Sequence, residues 1–212
     1  VPISIHGDLQ EVVMSGMGDR FNQFIGKTRF MVCRILVHLS GADAAPLLGV
    51  LNQSARNAVD ADGSMRELGE GLVDVCQGLL ERSSSWQSAA NEGDVIWDEG
   101  EAGDYVTELF TDSAQRYLSS GDLGEGDPQA PLTLPVTRNL IVMIVIACEG
   151  EVPELETDLA EINALETALK TLINLHYQDR YRAIQVHFSP AQLGDELTDE
   201  QVLLNFPELI PL

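Results

Sequence analysis

Lysine is almost missing from this chain. Its 212 residues carry two, Lys27 and Lys170, and with the arginines only 12 basic side chains stand against 34 acidic ones, a formal charge of -22. A surface of that sign has no basic cluster to displace the counterions of a phosphate backbone, which excludes nucleic acid as a partner and disfavours anionic membrane surfaces. Cysteine is scarce as well. Cys33, Cys76 and Cys148 lie far apart, each inside an apolar periodic segment, with no CxxC pair and no even framework; they read as buried thiols. The longest apolar run, LIVMIVIAC from Leu140 to Cys148, is nine residues, against the roughly 18 that a membrane span needs, so the chain is expected to be soluble. It opens on Val1 without a methionine, so an upstream segment is expected, and targeting information would sit there.

Motifs that carry chemistry are lacking too. The four histidines, His6, His38, His176 and His187, show no metal-ligand spacing to one another or to a cysteine. Ser83, Ser84 and Ser85 have no glycine-flanked elbow, and no glycine-rich phosphate loop is followed by a lysine. DADGS, Asp60 to Ser64, looks like part of a calcium loop, but with Gly63 at the turn position the first and twelfth ligand places fall on Ala58 and Gly69. The acids Glu92, Asp94, Asp98, Glu99, Glu101 and Asp104 gather around Trp97 without the spacing of any cation loop and read as a solvated connection. No metal, cofactor or catalytic constellation is expected.

What is present is periodicity. Residues 1–27 mix glycine with apolar residues irregularly and read as a loosely ordered arm; a single α+β domain is expected over 28–212, with a flexible loop at 119–131. In TRFMVCRILVHL, Met31, Cys33, Ile35, Val37 and Leu39 form one apolar face of a strand, and the opposite face is mixed, carrying Arg34 and His38. Helical spacing follows over Leu47, Leu48, Leu51, Ala55 and Ala58, and again after a capping box of Ser64 and Glu67 that leads into Leu68, Leu72, Val75, Leu79 and Leu80. Residues 83–104 read as a long connection holding both tryptophans, followed by a third helix from Tyr105 to Leu118. Leu140 to Cys148 is apolar on both parities, as in a central strand covered on both faces. A helix from Asp158 onward, lined by Ile162, Leu165, Leu169, Leu172, Ile173 and His176, leads to a strand, RYRAIQVHFSP, with Gln185 and His187 on its mixed face.

The expected architecture is therefore a small three-stranded sheet packed with four to five helices, containing a C-terminal β-α-β unit, a crossover or, with loops of this length, an antiparallel return, and a docked C-terminal tail. If the two strands with mixed faces lie at the sheet's edges, Arg34, His38, Gln185 and His187 converge on a polar pocket between that face and the second helix. The tail, LTDEQVLLNFPELIPL, begins with a capping box of Thr198 and Gln201 and a staple of Leu197 with Val202. Leu203 and Phe206 are expected to face the core, Pro207 to end the helix, and Leu209, Ile210 and Leu212 to hold the last residues in a groove; otherwise Phe206, Leu209, Ile210 and Leu212 form a docking peptide for another protein.

The segments TRFMVCRILVHL, CQGLLERSSSWQSAA, NLIVMIVIACEG, YRAIQVHFSP and the closing FPELIPL together resemble a family of unknown function from cyanobacteria and chloroplasts that includes the plant thylakoid fluctuating-light-acclimation protein. The likeness spans about residues 28 to 212 and supplies no catalytic residues. It implies a regulatory part in photosynthetic acclimation and a thylakoid-associated location, or a cytoplasmic or stromal one in a photosynthetic cell. Membrane association would come through a hydrophobic segment that this chain does not contain. Three functions follow as expectations: a non-enzymatic module that binds a protein partner, a basic one if the acidic surface takes part; a small-molecule sensor or enzyme using the polar pocket; and an acidic domain of saline-adapted type without a charge-specific partner.

Overall fold

The computed structural model describes residues 27–41, 44–60, 64–120, 138–190 and 197–212. The arm before Lys27, Gly63 of the DADGS turn and residues 121–131 of the expected loop lie outside the described residues. The strands are β1 (Phe30–Ser40), β2 (Trp86–Ile96), β3 (Asn139–Glu149), β4 (Tyr181–Ser189) and a short β5 (Ile210–Pro211). Among the described residues the helices are α1 (Ala44–Asp60), α2 (Met65–Leu80), α3 (Glu99–Ser120), α4 (Ile162–Tyr177) and α5 (Asp199–Asn205). The strands form one sheet in the order β4-β3-β1-β2-β5 with every neighbouring pair antiparallel.

The expected strand count is corrected: the sheet has five strands, not three. Of the two arrangements open to the β3-α4-β4 segment, it takes the antiparallel return rather than the crossover, with Ile184 opposite Ile146 and Gln185 opposite Val145. Residues 86–96 are a strand although WQSAANEGDVI is poor in β-branched residues, because its small side chains suit a position flat against β1 along its whole length. At Gly93 an added Cβ would stand 2.5 Å from the Val32 carbonyl oxygen, so close approach to β1 requires a glycine there.

Parity decides the layers. The odd residues of β1, from Met31 to Leu39, pack with Val142, Ile144 and Ile146 under α1, α2 and α4. At Gly69 a Cβ would lie 2.3 Å from His176 Nδ1, which is why a glycine in α2 lets α4 pack so close. The even residues face the opposite layer: Phe30 and Val32 meet Val106 and Leu109 of α3, and Leu36 meets Val202 and Phe206 at the C-terminal tail. Helices thus cover both faces of the sheet. No helix of the described residues is long and apolar enough to cross a membrane.

The tail closes the second layer. Thr198 caps α5 and exchanges hydrogen bonds with Gln201 in a complete capping box, and Leu197 and Val202 are both buried. Phe206 is 1% exposed, Leu209 packs beside it, and the last residues add a strand: Ile210 and Pro211 pair with Ala89 and Ser88, while the Leu212 N–H donates to the Gln87 carbonyl at 3.1 Å. Leu203 does not face the core; it is 76% exposed, because a single turn that buries Val202 and Phe206 at i and i+4 turns the next residue about 100° away. Phe206→Ala is expected to cost about 3–5 kcal/mol in urea unfolding, whereas Leu203→Ala stays within about 0.5 kcal/mol. Equal losses from the two would show that the tail does not dock through Phe206.

Candidate functional site

Arg34 sits at the centre of β1, an internal strand rather than an edge, and its side chain points into the layer under α3. It is 2% exposed. A guanidinium so deep in the sheet needs compensating charge, since burying an ion unpaired costs several kcal/mol. Compensation comes from both sides: Glu92 directly across on β2, and Asp112 on α3. Ser113 Oγ also lies 3.1 Å from Nη1, while Nε is buried without a hydrogen-bond partner. Asp112 pairs in turn with Arg116, one turn further along α3, at 2.9 Å, and Arg116 pairs with Glu208 of the tail and stacks over the Phe206 ring at 6.0 Å. One ionic chain therefore joins β1, β2, α3 and the C-terminal residues.

His38 has a different setting. Its Nδ1 lies 3.1 Å from Ser88 Oγ and its Nε2 lies 3.1 Å from Asn139 Oδ1. An amide oxygen only accepts, so Nε2 carries the proton and Nδ1 accepts from the Ser88 hydroxyl. Asn139 passes the chain on, donating to the Leu197 carbonyl at 2.9 Å and to Asp199 Oδ1 at 2.7 Å. Burial pushes His38 toward the neutral form, against the opposing pull of Asn139 and Asp199.

The four residues expected to form one pocket share one face of the sheet and then separate. Arg34 is locked in the ionic chain and His38 in the amide chain, while Gln185 and His187 lie on β4 at the sheet's edge. The mixed face is covered by α3 rather than by the second helix, which packs on the opposite side. Gln185 and His187 line a groove of about 230 Å³ that wraps around β4, with the Phe110 ring tilted against His187 at a centroid distance of 4.9 Å and Leu51, Leu68 and Val186 on the other flank. Gln185 Oε1 and His187 Nε2 are buried there without a hydrogen-bond partner. Burial and the charge of Arg34 both hold His187 below its usual pKa.

A larger groove runs along β2, at the opposite edge of the sheet. Its volume is about 730 Å³. Among the described residues β5 pairs with β2 only at Ser88 and Ala89, so residues 90–96 present an open strand edge along the groove. Five carboxylates line it: Glu92, Glu156 and Glu208 are held by Arg34, Arg29 and Arg116, while Asp94 and Asp158 have no arginine partner among the described contacts. Of the tail residues, Ile210 lines this groove and is half exposed, whereas Phe206, Leu209 and Leu212 are packed against the domain. Glu92, expected in a solvated connection, instead pairs with Arg34, and nothing in the sequence singled out Asp112, Arg116 and Glu208; the one local signal was the i, i+4 pair of Asp112 and Arg116, which joins a network only once α3 lies on the sheet. Among the described residues no group of three or more His, Cys, Asp or Glu is placed to hold a metal ion.

Fold and site together define an α+β domain whose antiparallel sheet lies between two helical layers, is pinned by a buried arginine and takes its own C-terminus as a strand. The chain belongs to the family described as Protein of unknown function (DUF1517), whose model matches residues 29–212. No curated protein and no solved structure matches it.

Two outcomes test the site. Arg34 cannot reach water, whereas its partners can, with Glu92 and Asp112 side chains 27% and 43% exposed. The double variant Glu92→Gln with Asp112→Asn should therefore cost about 3–5 kcal/mol in denaturant unfolding, more than Arg34→Met, which frees acids that rehydrate; the reverse order would show that the guanidinium finds other compensation. Titration gives a second signature. Burial pushes the Asp112 carboxyl up, but hydrogen bonds and charge from Arg34 and Arg116 outweigh it and hold its pKa below the usual carboxylate value. Its contribution is present above about pH 4 and is lost as the pH falls through the depressed value. His187, a base held neutral, adds a separate loss that begins as the pH falls below about 6.5, because the unfolded chain takes up the proton first. His187→Gln should flatten the stability profile between about pH 5 and 7, and an unchanged slope would show that His187 titrates normally.

Proposed function

We propose that this protein is a non-enzymatic binding module that recognises a basic protein partner and serves the regulation of photosynthesis at or near thylakoids. The observation that carries the binding role is the groove beside β2, where a strand edge left open among the described residues and five carboxylates face the same space. Complementary charge of that kind speeds encounter and selects partners. The photosynthetic setting is supported by the likeness of the strand segments and the FPELIPL ending to the cyanobacterial and chloroplast proteins described above.

A second reading, a small-molecule sensor, rests on a separate observation: Gln185 Oε1 and His187 Nε2 are left without partners beside the apolar flank of the β4 groove. A compact ligand with a hydrogen-bond donor and an apolar body would suit them.

Pull-down from a photosynthetic lysate at low salt and at molar salt tests the leading reading. A specific basic partner retained at low salt should be lost as the ionic strength passes about 0.15 M, where the Debye length has fallen to about 8 Å. A partner held equally well in molar salt would refute the electrostatic mechanism. If the protein itself becomes markedly more stable in molar salt and captures nothing specific, its charge is a saline adaptation.

A further inference from the structure

Each edge of a sheet presents unpaired N–H and C=O groups, and proteins either cover such edges or use them to pair with another chain. The present sheet covers part of its β2 edge with its own tail. Ile210 and Pro211 pair with Ala89 and Ser88, and the Leu212 N–H reaches the Gln87 carbonyl, so this edge accepts an added antiparallel strand. Beyond Ala89, β2 continues for seven residues to Ile96, paired with β1 on its inner side and with no described strand on its outer side.

Walls stand on both faces of that open stretch. On one face lie Glu92, Arg116 and Glu208; on the other lie Leu155, Glu156 and Asp158, in a segment held to β2 because the Asn91 side chain donates to the Thr157 carbonyl and accepts from the Leu159 N–H, both at 2.9 Å. The space between the walls is the groove of about 730 Å³. Charged side chains on an edge commonly serve only to repel other strands. Here they line a groove with a wall on each face of the strand rather than a bare edge.

Parity then sets the chemistry of the occupant. The even residues of β2, Glu92 and Asp94, point to the α3 face, as the pairing of Glu92 with Arg34 shows, whereas Val95 points to the opposite face and packs with the main core near Met31. A strand laid against residues 90–96 would place alternate side chains beside Glu92, Asp94 and Glu208, and the others beside Val95, Met31 and Leu155. A second copy of this chain, at a formal charge of -22, is repelled from such a groove. We infer that the basic partner docks by adding one extended segment to the free edge of β2, with lysine or arginine alternating with β-branched or other apolar residues. This inference rests on the binding reading above and assigns its site and mode.

Amide hydrogen exchange on the full chain tests it with three synthetic peptides: one alternating lysine with valine and isoleucine, one with glutamate in place of lysine, and one of the first composition in non-alternating order. The alternating lysine peptide should slow exchange of outward-facing amides within residues 90–96 by roughly tenfold or more, and the other two should not. Asp94→Lys, an exposed position whose carboxylate accepts only from the adjacent Val95 N–H among the described contacts, should keep the melting temperature and weaken the lysine peptide by roughly tenfold. No protection at 90–96, protection by all three peptides alike, or protection at 181–189 instead overturns the strand-addition site. If Asp94→Lys still captures the salt-sensitive lysate partner undiminished, the site is wrong while the basic-partner reading stands; if wild-type protein captures no salt-sensitive partner, that reading falls even where the peptide binds.

Discussion

A guanidinium buried at the middle of a sheet governs this domain. Arg34 occupies a strand paired along its whole length on both sides, so it cannot leave the interior without breaking β1 from β2 or β3. Its charge must be met where it is. That requirement fixes three things at once: β2 must register so that Glu92 falls opposite Arg34, α3 must lie across the mixed face so that Asp112 and Ser113 reach it, and water must be kept out by Val106, Leu109 and their neighbours. A well-packed apolar residue at this position would be at least as stable in many proteins. What the arginine adds is selectivity of arrangement, because few registers bring two acids to one buried point.

The same charge reaches the C-terminus. Asp112 is shared between Arg34 and Arg116, and Arg116 holds Glu208 while lying over Phe206. The tail therefore docks by two mechanisms of different range: apolar burial of Phe206 and Leu209, which is insensitive to salt, and an ionic contact that weakens as salt screens it. His38 and Asn139 tie the start of α5 to the sheet by a neutral route. The two chains of polar contacts meet the tail at opposite ends and leave the open stretch of β2 between α3 and the segment around Leu155.

Excess acid and a folded state coexist here because the buried Arg34 is paired, whereas most of the other carboxylates among the described residues are exposed. The thiols follow the opposite logic. Cys33, Cys76 and Cys148 are all buried and free, and burial raises Cys148 to about 11, which keeps it protonated and inert at neutral pH.

Much of the scaffold was legible in the residues alone. The alternation in β1, the two-sided apolarity of β3, the helical stripes of α2 and α4, and the Thr198–Gln201 box are local patterns, and local patterns are set by side-chain periodicity and by backbone groups a few residues apart. Strand β2 was not legible, because its Ser88, Asn91, Glu92 and Gly93 are poor strand formers whose partners lie 50 to 68 residues away: His38, Leu159, Arg34 and the backbone of β1. The sheet-face residues Arg34, His38, Gln185 and His187 could be assigned to one parity, yet parity is silent on strand order, and it is strand order that puts β1 inside, β4 outside and the four residues in three different environments. The sequence by itself determined the strong acidity from composition, and from periodicity an α+β domain ending in a capped, apolar tail. Which acids meet the buried arginine, which helix covers the mixed face and which strand edge stays open were decided only in three dimensions, since each depends on contacts between segments that no local pattern relates.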